Sequence, residues 1–215
     1  MKIRKFIALN LILALAGTLA VQAQTKLSAR SGSKMRLEGT SNIHDWQVES
    51  KLIGGSLEVG KEFPVEAGAQ VAPGKIDVKG EIFVPVRSLT SLEKDGRPYN
   101  TKMDDIMYEK LQATEHTKIF FRVNELTLKE TAKDNNSPYL FDSKGELIVA
   151  GVTNAIAMPV TIQHMPDGKI KISGQTEIKM TDYKIDPPAP KIALGLIKTG
   201  DPVKVIFEWM VAASK

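Results

Sequence analysis

Strict alternation of apolar and polar residues over strand-length runs is the feature that most limits how this 215-residue chain can fold. From Lys75 to Pro85, the side chains of Ile76, Val78, Ile82 and Val84 share a face with Gly80, while Lys79 and Glu81 take the other. A period of two marks a half-buried strand. The same period returns at Ile156, Met158, Val160 and Ile162, and at Val203, Val205, Phe207, Trp209 and Val211. Shorter strand candidates are Met35–Gly39, Trp46–Leu52, Ser56–Val59, Ile119–Leu128, Tyr139–Ala150 and Lys169–Met180. Turn residues bound most of them: Gly54-Gly55, Pro73-Gly74, Asp134 to Pro138, and Pro166-Asp167-Gly168, which predicts a hairpin. Residues 24–33 are polar and Ser-rich and read as a loose lead-in. Nine or so strands with mostly short connections predict an antiparallel barrel or sandwich. No internal repeat or linker divides the chain.

One segment breaks the pattern. Between Thr101 and Ala113, Met103, Ile106, Met107 and Leu111 recur at helical spacing, and Thr101 with Asp104 fits a capping pattern. This helix is either a plug packed into one end of a barrel or a lid over an internal cavity. In the second case its methionines would adapt to whatever lies beneath.

The amino-terminal residues predict export. Lys2, Arg4 and Lys5 precede an apolar run from Phe6 to Val21, and Val21-Gln22-Ala23 places small residues where a signal peptidase reads. The run contains Asn10, Gly17 and Thr18 and is shorter than the ~20 apolar residues of a spanning helix. Residues 1–23 are therefore expected to be a cleaved signal peptide and 24–215 a single domain that starts at Gln24. The charge agrees. The net +4 of the whole chain falls to +1 (26 basic against 25 acidic) once Lys2, Arg4 and Lys5 are set aside. The basic balance therefore gives no support to nucleic-acid binding. With no cysteine, the chain can form no disulfide and offers no thiol for a lipid anchor, so stability must come from its core. The expected location is periplasmic or secreted, without a stable membrane anchor.

Catalytic patterns are scarce. No phosphate-binding loop or dinucleotide fingerprint follows a strand. His44, His116 and His164 are isolated in sequence, and His44-Asp45 is the one local pair that could begin a metal site. Ser41 near His44 has no nucleophile elbow around it and reads as a turn residue. These readings predict no enzyme, no cofactor and no metal.

Several longer motifs occur in a consistent order. They are Gly39-Thr40-Ser41-Asn42-Ile43-His44-Asp45-Trp46, the stretch MYEKLQATEHTKIFF from Met107 to Phe121, GELIVAGVTNAIAMPV from Gly145 to Val160, Lys179-Met180-Thr181-Asp182-Tyr183, and the closing Gly200 to Trp209. Together they resemble the YceI-like family over nearly the whole chain after residue 23. Two departures stand out: His44-Asp45-Trp46 replaces a longer alternating opening, and Lys184 stands where the family has glycine. The resemblance implies an eight-stranded antiparallel lipocalin-like β-barrel with one short α-helix at a barrel end. It also implies a ligand in the barrel: an isoprenoid quinone, a polyprenyl chain or a fatty amphiphile. Candidate ligand-binding residues are His44, Trp46 and Tyr183 within the motifs, Arg87 at the close of an alternating strand, and Met103 and Met107 on the helix. A filled barrel acting as a stress or interaction protein has the same sequence signature, because a core and a cavity both need inward apolar side chains. A homodimer stays open.

Overall fold

The structure, a computed structural model, describes residues 24–99, 101–189 and 197–214. The expected signal peptide lies outside the described residues. Twelve strands form one sheet: β1 (Thr25–Ala29), β2 (Lys34–Ser41), β3 (Trp46–Ser50), β4 (Gly54–Val59), β5 (Gly74–Ile76), β6 (Val78–Pro85), β7 (Thr90–Leu92), β8 (Lys118–Glu130), β9 (Tyr139–Val149), β10 (Val152–His164), β11 (Ile170–Lys179) and β12 (Thr199–Ala213). A single helix, α1 (Thr101–Lys110), joins β7 to β8, and 3₁₀ turns occupy Val86–Ser88 and Met180–Tyr183.

These strands build eight staves. β1 and β2 lie end to end along β12, with Leu27 opposite Ala213 and Met35 opposite Phe207. β3 and β4 follow them as a second broken stave, and β6 with β7 as a third. β8 to β12 complete the round as an antiparallel meander, and β1 on β12 closes it. The result is a closed eight-stranded antiparallel β-barrel with one helix. Closure leaves no free sheet edge along most of the wall.

Two readings of the sequence are corrected. The lead-in contains β1, which closes the barrel: Leu27 is fully buried although its neighbours are polar. One apolar residue in a polar run carries too little periodicity to be read as a strand. The run from Lys75 to Pro85 also divides at Asp77, with both halves pairing to β8. The hairpin turn stands as read. Met165 N–H donates to the Lys169 carbonyl and Gly168 sits at φ +78°, which a glycine adopts at little cost.

On the outer face, oppositely charged residues stand directly across from one another: Arg36 and Glu49, Arg122 and Glu81, Lys144 and Glu125, Lys34 and Glu208. Each exposed pair contributes a few tenths of a kcal/mol, and together they favour one register. Glu125 takes bonds from both Lys144 (2.7 Å) and Lys75 (2.9 Å), which hold its carboxyl down to about 2.

Candidate functional site

The two ends of the barrel are built differently. At one end the chain between β4 and β6 folds inward. Phe63 is 3% exposed and its ring stacks on Phe141 at 6.1 Å. The Tyr139 hydroxyl donates to the Ala69 carbonyl at 2.9 Å, and His164 Nε2 donates to the Val65 carbonyl at 2.9 Å. Burial pushes the Tyr139 hydroxyl pKa up. Above this closed end runs a continuous row of inward side chains across four strands. Tyr139, Ile162, Ile172 and Trp209 stand opposite one another in turn, and none is more than 7% exposed. They form a floor.

Toward the helix end the interior changes. Leu37, Ile82, Ile119, Phe121, Leu147, Met158, Val205 and Phe207 all pack inward yet remain half-buried. On β10 the alternation is regular. Val152, Asn154, Ile156 and Met158 are half-buried while Thr153, Ala155, Ala157 and Pro159 are exposed, and only at Val160 and Ile162 does the inner row become buried. Inward side chains that keep accessible surface halfway along a closed wall face an internal space. Glycines help keep it open. A Cβ at Gly39 would sit 2.2 Å from the Trp46 ring, at Gly145 2.7 Å from Phe121, and at Gly174 3.0 Å from Phe207. Each ring therefore lies over a glycine on the neighbouring strand, along the wall and out of the bore.

The wall is incomplete at this end. Pairing between β10 and β11 runs only from His164–Ile170 to Val160–Gly174. Beyond that point, among the described residues, β10 pairs only with β9 and β11 only with β12. Pro159, which has no N–H to give, stands where the ladder stops. Near the rim the split is bridged by a side-chain bond, from Asn154 Nδ2 to the Asp182 carbonyl at 2.8 Å, and by the packing of Tyr183 and Ile185 on Val149, Ala150 and Val152. An external groove of about 500 Å³ lies against the same place, lined in part by Leu140, Pro159, Gly174 and Ile206.

Helix α1 lies at the rim between β7 and β8, in contact with β7. Met107, Tyr108 and Leu111 pack on the barrel core. The Tyr108 hydroxyl donates to the Leu89 carbonyl at 2.7 Å, and the Arg87 guanidinium lies over its ring at 5.3 Å. Burial, then the Asp104 charge, raises the Tyr108 pKa. Asp104, in the first turn of the helix, accepts from the Ser91 backbone N–H at 2.7 Å and ties the helix to β7.

The candidate residues from the sequence gather around this end. His44 is exposed on the β2–β3 turn, bonded to the Asp45 carbonyl and edge-on to Tyr99. Trp46 opens β3, packs on the core and donates from Nε1 to the Thr40 carbonyl at 3.1 Å. Arg87 points outward against the helix, away from the bore. Tyr183 is 2% exposed in a satellite cluster with Val149, Ala150 and Ile185; burial raises the pKa of its hydroxyl, and the Asn154 side chain beside it acts the other way. Next to it, the Asp201 carboxylate accepts from the Thr181 N–H (2.9 Å) and hydroxyl (2.7 Å), which lower its pKa and hold the 3₁₀ turn to β12. Met103 is half-buried beside Met107 on the helix, but only Met107 is among the residues packed on the core. His44, His116 and His164 are not brought together; among the described residues no cluster of metal ligands forms. The half-buried lining of the bore, from Leu37 to Phe207, was missed as a site. Alternation marks which side chains point inward but gives no sign of how deep each one lies.

This closed barrel with one rim helix can be set beside known proteins. A profile of the YceI-like domain matches residues 65–210. The chain belongs to the YceI-like family. Solved structures with the same fold include a polyisoprenoid binding domain from Saccharophagus degradans implicated in plant cell wall breakdown, at 12% identity and a TM-score of 0.61 over 87% of this chain and 98% of that one. BcnA of Burkholderia cenocepacia is similar at 15% identity and a TM-score of 0.57, over 84% and 96%. A mutant Campylobacter jejuni YceI protein follows at 19% and 0.51, over 78% and 84%. No curated protein matches this YceI-like chain.

Proposed function

We propose that this YceI-like protein is an exported binding protein that holds the tail of an isoprenoid or similar amphiphilic lipid inside the barrel. The observation that carries this reading is the open half of the bore, where apolar inward side chains from Leu37 to Phe207 keep accessible surface. An apolar lining of this kind gives about 0.8 kcal/mol for each CH₂ removed from water, enough for a modest tail to offset the cost of immobilisation. The name of the Saccharophagus domain points to the same ligand class. The predicted signal peptide would deliver the chain to the periplasm or exterior. On this reading the residues at the rim bind and orient the head group, and the protein acts as a carrier. Head groups would meet Trp46, His44 and Tyr99 at the rim, while tails run toward the floor.

The test is native mass spectrometry of protein recovered from the exported fraction, followed by solvent stripping and titration with prenyl phosphates or quinones. A bound lipid in the extract, or saturable binding at micromolar concentration, is the expected result. Neither being found would leave a barrel without a lipid ligand. Amino-terminal sequencing of the same material checks export, with Gln24 as the expected first residue.

A further inference from the structure

We infer that the bore has a fixed depth, and that this protein takes short isoprenoid tails of about three to four isoprene units while gaining little from longer ones. The inference rests on the proposed function and adds a limit of chain length to it. The floor sets that limit. Tyr139, Ile162, Ile172 and Trp209 are joined by consecutive ladder pairs, so their row is fixed by hydrogen bonds across β9 to β12. They are buried to 1%, 1%, 7% and 1% exposure, and Leu27, Leu57, Leu126 and Leu128 on the other strands are buried as well, so apolar side chains pack this part of the barrel. Beneath the floor, Phe63 stacked on Phe141 and the Tyr139 and His164 bonds to the inward chain close the far end. A tail that enters at the helix rim cannot leave through the bottom.

The depth above the floor follows from strand geometry. On β10 the half-buried inner positions run from Val152 to Met158, six residue steps. At about 3.3 Å per residue that is roughly 20 Å along the strand. A strand tilt of roughly 40° in an eight-stranded barrel reduces the axial depth to about 15 Å. One isoprene unit, with four carbons along its chain, advances about as far as one and a half residues of strand. Three units fill the bore, and a fourth reaches the rim at Trp46 and the helix. Carbons beyond that stay in water and add no burial.

The experiment uses the full chain, stripped of lipid, titrated by calorimetry with prenyl monophosphates of one head group and tails of C10, C15, C20 and C45. Affinity is expected to rise at least tenfold from C10 to C20 and to change less than threefold from C20 to C45. The variant Met158→Trp fills the deep end of the open bore, just above the floor, from a half-buried position; it should leave C10 binding within threefold of wild type and weaken C20 at least fivefold. Its melting curve checks that the barrel is intact, and Ile156→Phe, at the next inner position, serves the same test if that variant fails to fold. Binding of C45 tenfold tighter than C20 would overturn the depth limit and leave the lipid-binding reading standing. Absence of saturable binding at every length would overturn both.

Discussion

The two halves of this barrel are made from the same alternating strands and differ in what fills them. Below the level of Val160 the inner row is large and sealed, with Trp209, Tyr139, Phe141, Leu128 and Ile162 all at about 1% exposure. Above it the inner row is as apolar, but glycines at 39, 145 and 174 take the place of side chains that would fill the bore. A few glycines opposite aromatic rings are enough to turn a core into a container. The closed half supplies stability, and the open half keeps accessible apolar surface.

The largest test of this contrast compares the same substitution in each half. Phe141→Ala removes a ring stacked on Phe63 and should cost about 3–5 kcal/mol in chemical denaturation. Phe207→Ala removes a ring that already borders open space and should cost less than half as much, while weakening binding of the tail. Equal losses would mean that the interior is packed to one density throughout.

Next in size is the helix attachment. Tyr108→Phe deletes the hydroxyl bond to Leu89 and should cost about 1 kcal/mol, with faster amide exchange confined to α1 and β7. A uniform rise in exchange across the barrel would show that the helix belongs to the sealed half. The rim turn also has a pH signature. The folded-state pKa of Asp201 is depressed, so its stabilising contribution is present above the ordinary carboxylate range and is lost as pH falls through the folded value. Thr181→Val deletes the hydroxyl bond that lowers this pKa most, and an NMR titration of the Asp201 carboxyl should show it move up toward the ordinary carboxylate value. The smallest effect is expected at Trp209, whose Nε1 is buried without a partner among the described residues. Trp209→Phe removes that unsatisfied donor along with some ring volume, and should change stability by less than about 1 kcal/mol because the two terms oppose.

Much of the wall was legible in the sequence. Val203 to Val211 and Ile156 to Ile162 announce their inward faces, and Pro166-Asp167-Gly168 announces its turn, because these signals are local. β1 was not legible, since its one deeply buried residue, Leu27, acquires meaning only from β12, 186 positions away in the pairing with Ala213. At the rim, the placement of Trp46 at the start of β3 and of Met107 on the helix could be read from their motifs and spacing. The open bore could not, because the glycines that create it work through cross-strand register. Gly174 is an ordinary strand glycine until Phe207 is placed opposite it.

The parted strands β10 and β11 give the barrel an adjustable girth. At the floor, any increase in circumference would have to break ladder bonds between backbone groups, so that ring is stiff. At the rim, β10 has no ladder bonds to β11; it is held to the end of that strand by the Asn154–Asp182 bond and by the packing of Tyr183 and Ile185 on Val149, Ala150 and Val152, with every strand still paired to its other neighbour. The barrel behaves like a cuff stitched all round at the hem and closed at the wrist by a fastening that can be undone while the weave holds.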